Sequence, residues 1–173
     1  MAERETCVLD SAPLIALASA GVLEEVLRGD TTFMLTPEVE AEVVTEGQRR
    51  GFQDAGVVQR QVSEGRLRIV RARSTNPLRG RGENPRLSQA DVSSLVLAKE
   101  RGATLIADDT DLRLAALTLG VPLGGSLSLL ALAVRARSLT GREAVGAVER
   151  MIAAGWYCSP ALFKGFADRM QPR

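Results

Sequence analysis

The chain has 173 residues, 45% hydrophobic and 25% charged, which suits one globular domain over 1–173 with a core of ordinary size. Its net charge of +1 announces no nucleic-acid partner, and aromatics at 3% disfavour a base-stacking sheet. Histidine is absent, which excludes Ser-His-Asp and Cys-His catalysis and His-ligated zinc; Cys7 and Cys158 are too few for a disulfide framework or a Cys-rich zinc site.

The charged N-terminus MAERETC is no signal peptide, and no apolar run approaches the length of a membrane span, so cytoplasmic residence is expected. Residues 5–10 read as a short buried strand ending in Asp10. SAPLIALASAG reads as a helix that Ser11 can cap, with Pro13 in the first turn and Gly21 as its stop. VLEEVLRG is a second short helix, and TTFMLT, β-branched and apolar, a second strand. Thr36-Pro37 marks a helix start running to about residue 49. FQDAGVVQRQVSEG reads as another helix and LRIVRA as a third strand. Residues 73–86, with two Pro, two Gly and four Arg, read as a loop.

Ser88 opens the next helix, which ends at Gly102; ATLIAD is a fourth strand, and TDLRLAALTLG a helix stopped by Gly120. VPLGG can hold a brief fifth strand. Two helices follow, joined at Thr140-Gly141, then WYCS as a last short strand and a final helix opened by Ser159-Pro160. Both cysteines fall in these strand-like stretches and read as buried free thiols. Strands alternating with helices predict an α/β domain with a mainly parallel sheet.

Acids stand where strands end and helices begin. In open parallel sheets ligands bind beyond the carboxyl ends of the strands, where Asp10 and the Asp108-Asp109-Thr110-Asp111 cluster sit. Asp10 can cap its helix, but Ser11 can do so equally, and a carboxylate ending a buried strand costs desolvation unless paired. Three carboxylates in four residues repel one another, and a bound cation accounts for the excess. Glu38, Glu42 and Glu46 share a face at i, i+4 spacing, as a solvated stripe would. Asp91 completes a capping box with Ser88, which gives it a purely structural explanation. Carboxylates gathered at one sheet end can hold Mg²⁺ or Mn²⁺ and activate water for phosphodiester cleavage.

Basic residues are mostly guanidinium: only Lys99 and Lys164 of the 22 are lysine. Arginine suits phosphate oxygens, although a GC-rich genome or a heat-adapted host explains the bias as well. Residues 60–86 hold eight arginines against Glu64 and Glu83. Arg73, Arg79, Arg81 and Arg86 are the candidate track for a polyanion's phosphates; a solvated loop is the plain alternative.

In this order the residues resemble the PIN domain, the small metal-dependent nucleases that include VapC-type toxins. VLDSAPLIALA is similar to the family's first strand and acid, here Asp10 followed by the hydroxyl of Ser11; TPEVEAEVV is similar to its second motif, with Glu42 as the acid. LSQADVSSLVLAKERGATLIADDTDLRLAALTLGVPL resembles the segment carrying the third acid, Asp91, and the fourth, Asp109, with Asp111 as an accessory. Ala107 stands where the family often has Thr or Ser. The resemblance implies a three-layer α/β/α fold around a parallel sheet, and an acidic pocket binding one or two Mg²⁺ or Mn²⁺ for hydrolysis of RNA. Asp10, Asp91 and Asp109 would hold the ions, with Glu42 and Asp111 as direct or water-mediated ligands. It also implies the toxin of a toxin–antitoxin pair, an antitoxin partner and a homodimer.

Two other readings stand beside it. One is a catalytically weak PIN-fold protein acting through protein partners, for which the Leu/Ala-rich SLSLLALAVRARSL offers apolar surface. The other is an RNA-processing nuclease outside toxin–antitoxin systems, although such relatives typically add a zinc module. An aspartate-nucleophile phosphatase is disfavoured, because Ser11 and Ala12 follow Asp10 and no second Asp completes D-x-D.

Overall fold

A computed structural model describes residues 5–73 and 84–171. Five short strands form one parallel sheet in the order β3-β2-β1-β4-β5: β1 Thr6–Leu9, β2 Thr32–Leu35, β3 Leu67–Ile69, β4 Thr104–Ile106 and β5 Leu123–Gly124. Each crossover is helical, as parallel pairing requires. The first half of the chain builds outward from β1 to β3 and the second half builds the other way from β4. The order therefore reverses between β1 and β4, which opens a crevice at their carboxyl ends.

Alternation along the strands makes two cores. Cys7 and Leu9 of β1 and Ile106 of β4 face helices α1 (Ser11–Ser19), α2 (Leu23–Val26), α5 (Gln53–Ser63), α8 (Ser126–Arg135) and α9 (Gly141–Ala153). Val8, Leu105 and Ala107 face α6 (Gln89–Arg101) and α7 (Thr110–Thr118). The result is the three-layer α/β/α arrangement expected from the sequence. With few aromatics available, buried Leu, Val and Ala fill both layers. Among the described residues no helix is long and apolar enough to cross a membrane.

The helix that Thr36 and Pro37 open starts as expected. The Val39 amide donates to Thr36 Oγ1 at 3.3 Å. Its interior is less regular: α3 (Pro37–Glu40) widens into a π-helical stretch, Ala41–Glu46, before closing as α4 (Gly47–Arg49). The i, i+4 stripe of glutamates is broken there. Glu46 pairs with Arg49 and Arg50, while Glu42 turns to Ser11.

One expected strand is absent. Residues 156–159 (WYCS) form no ladder and instead lead into α10 (Pro160–Met170), whose first turn is capped by Ser159. Cys158 is accordingly half-buried rather than a core thiol, whereas Cys7 is buried as expected.

Candidate active site

Leu9 pairs with Ile106, so Asp10 leaves β1 directly over the end of β4, and its amide donates to the Ile106 carbonyl at 3.0 Å. Asp10 takes the N-cap position of α1, yet its carboxylate makes no capping hydrogen bond. The side chain is 3% exposed, and Oδ1 is buried without a partner. Burial first, then the charge of Asp91, push its pKa up from 3.8 to about 7; Glu42 adds to the rise, and the Ser11 and Ala12 amides oppose it. A buried carboxylate with an idle oxygen and two anionic neighbours suits a cation.

Other candidates are held in place by local bonds. Ser11 Oγ donates to Glu42 Oε2 at 2.8 Å, which ties the first turn of α1 to the π-helical stretch. Asp91 and Ser88 form the capping box read from the sequence: Asp91 Oδ2 accepts from the Ser88 amide at 2.6 Å, and Ser88 Oγ accepts from the Asp91 amide at 3.1 Å. Two residues along α6 from Asp91, Ser93 Oγ meets the buried Thr36 Oγ1 at 2.7 Å. That bond joins the end of β2 to the helix carrying Asp91. Sequence reading missed it, because Thr36 was already explained as a cap.

Asp109 caps α7, with Oδ1 accepting from the Leu112 amide at 2.9 Å. Asp91 and Asp109 thus each use one oxygen as a cap and, among the described residues, leave the other without a partner. Asp111, in the first turn of α7, accepts from Asn84 Nδ2 at 3.4 Å and lies 3.8 Å from the Arg86 guanidinium. Arg73 is exposed; Arg79 and Arg81 lie outside the described residues.

Asp108 corrects the cation explanation of the triple-acid run. It accepts from the Ser126 amide at 2.9 Å, from Ser126 Oγ and from the Trp156 indole at 2.9 Å. Gly125 makes room for it: a Cβ there would stand 2.9 Å from Asp108 Oδ1. The three carboxylates coexist because they point into different surroundings. Nothing local in the sequence announced Ser126 and Trp156 as partners, since both are remote in the chain.

The structure brings Asp10, Glu42 and Asp91 within electrostatic reach and sets Asp109 and Asp111 at the end of the neighbouring strand. Among the described residues, no three Asp, Glu, Cys or His side chains converge as a compact metal cluster. Mg²⁺ keeps several waters and is usually met by only one or two carboxylates, so an open all-oxygen set still fits it.

Comparison with known proteins places this geometry. A family model described as a PIN domain matches residues 6–172. A PilT N-terminus domain protein from the hyperthermophilic archaeon Sulfolobus solfataricus P2 has a similar fold, with a TM-score of 0.50 and 24% identity over 75% of this chain and 93% of that one. No curated protein matches the chain. The PIN fold is of nuclease type. With the match running through both halves of the sheet and every candidate acid, the chain belongs to the PIN-domain family.

Proposed function

We propose that the chain is a metal-dependent endoribonuclease hydrolysing RNA phosphodiester bonds beyond the ends of β1 and β4. The observation that carries this reading is Asp10: a buried carboxylate at the topological switch point with one oxygen unmet. Every candidate ligand is a hard oxygen, which favours Mg²⁺ or Mn²⁺ over softer metals. Asp10, with the open oxygens of Asp91 and Asp109, would hold the ion, and Glu42 and Asp111 would reach it directly or through water. Such an ion supplies Lewis-acid activation of water and neutralises the anionic pocket toward phosphate. Ser11 fixes the Glu42 carboxylate, and the two caps fix the carboxylates of Asp91 and Asp109. A toxin role, with an antitoxin and a homodimer, extends this reading through the family resemblance.

The test is cleavage of single-stranded RNA in Mg²⁺ or Mn²⁺. EDTA and Asp10→Asn should each reduce it to background; cleavage that survives both removes the metal reading. Among the described residues no compact acid cluster forms, and this arrangement favours one second reading, a catalytically weak member acting through protein contacts. Under that reading neither metal supports cleavage by the unaltered chain.

A further inference from the structure

Beyond β5 lies a cleft of about 610 Å³, roofed by α8 on one side and by the 156–159 segment and α10 on the other. It lies within the roughly 300–1,000 Å³ of ligand pockets. It is a separate concavity from the acid crevice, yet adjoins it through one peptide: Asp108 lines the cleft and Asp109 caps α7 at the end of β4.

The lining has two kinds of group. Arg113, Arg135 and Arg169 bring three positive charges against the single carboxylate of Asp108. Asp108 is already engaged by Ser126 and the Trp156 indole. Arg113 is anchored on the Ala107 and Gly124 carbonyls at 2.8 and 3.1 Å. Arg135 and Arg169 are exposed, and neither has an ion-pair partner among the described residues. The second kind is aromatic and apolar. Trp156 is held in orientation by its bond to Asp108, Tyr157 is 84% exposed and Leu162 48% exposed. In a chain with one Trp and one Tyr, both stand side by side at this cleft.

We propose that this cleft binds a short segment of single-stranded RNA beside the scissile phosphate. Arg135 and Arg169 would take backbone phosphates, while bases stack on Tyr157 and against Trp156. Two guanidinium groups in one cleft, without carboxylate partners among the described residues, fit a polyanion, and an exposed ring fits a base whatever its sequence. The proposal rests on the nuclease reading for the identity of the polymer. It places RNA contacts on the α8–α10 side of the sheet.

The chain's single tryptophan gives a direct readout. Trp156 fluorescence is titrated with a short RNA oligonucleotide in EDTA, with matched single-stranded DNA and duplex RNA alongside. The expected result is saturable quenching by single strands and little by duplex. Tyr157→Ala should weaken binding about tenfold. The Arg135→Ala, Arg169→Ala double variant should flatten the slope of log K against log salt by about 1.4. These side chains are exposed, so folding is preserved, and circular dichroism checks it. Absent quenching, or quenching and a salt slope that the variants leave unchanged, overturns the proposal. So does equal binding of duplex. A change of sedimentation state in the variants without any RNA response overturns it in favour of a protein interface. DNA quenching the indole better than RNA overturns RNA as the polymer. A metal-dependent cleavage assay on the same proteins separates the two ideas. Cleavage without quenching removes the cleft and leaves the nuclease, whereas quenching without cleavage does the reverse.

Discussion

Asp10 carries a cost that the metal-free fold must bear. Its carboxyl is held at about 7 against an ordinary 3.8, so between those values the folded chain keeps a proton that the unfolded chain releases. Stability therefore falls as pH rises through that window, by up to about 1.4 kcal/mol per unit and about 4 kcal/mol in all. Glu24, Glu46 and Glu143 shift the other way, lowered by arginine partners or a cap, so their contribution is lost only as pH falls below the ordinary carboxylate range. Chemical denaturation from pH 5 to 8 in EDTA should show declining stability for the native chain and a nearly flat profile for Asp10→Asn. A parallel decline in the variant would assign the effect to another group. Asp108 behaves differently. Asp108→Ala leaves the Ser126 and Trp156 donors unmatched and should cost roughly 1–3 kcal/mol of unfolding free energy in urea denaturation. Of the two, only Asp10 was legible in the sequence, since a strand-ending acid is a local pattern. The partners of Asp108 lie 18 and 48 residues away, and no spacing rule reaches them.

Several helix starts were legible because they are written in adjacent residues, but α1 was not: Asp10, not Ser11, holds its N-cap position, and the Ser11 hydroxyl is drawn to Glu42. Thr36-Pro37, Ser88 with Asp91, Thr140 and Ser159-Pro160 all cap as their side chains require. The π-helical stretch at Ala41–Glu46 was not legible, since AEVVTE is compatible with an ordinary helix; its consequence is that Glu42 leaves the stripe of Glu46 and meets Ser11. The missing strand at 156–159 failed for a related reason. Aromatic residues satisfy β-propensity locally, but propensity yields to tertiary context, and here the indole is engaged by Asp108. A further close fit joins α9 to α10. A Cβ on Gly141, the first residue of α9, would overlap the Met170 carbonyl at the end of α10. Gly141→Ala should therefore cost about 1–3 kcal/mol and push the end of α10 away from α9. Limited proteolysis would show this as faster cutting near the C-terminus, and unchanged cutting would mean that the helix end shifts without detaching.

Across the whole molecule the topology makes the acids one system. Asp10 rises from β1, Glu42 from the helix after β2 and Asp91 from α6, so charges from elements far apart in sequence bear on Asp10 at the switch point, while Asp109 stands at the end of the neighbouring β4. The charges of Asp91 and Glu42 oppose the ionised form of buried Asp10, and a cation specific to the folded state would offset that opposition. Divalent-ion binding should then appear as stability before any RNA is present. At a concentration near one hundred times Kd, one bound ion adds about 2.7 kcal/mol, which for a chain of this size raises Tm by about 5–10 °C. Mg²⁺ or Mn²⁺ should produce such a rise in the native chain, and monovalent salt of equal ionic strength should not. Asp10→Asn should start from a higher Tm in EDTA at pH 8 and gain little from either ion, because the same carboxylate supplies the repulsion and the binding. A native chain with no divalent-specific rise, beside a variant that is still stabilised, would mean that the buried acid is relieved by protonation alone and that the ring of carboxylates holds no ion.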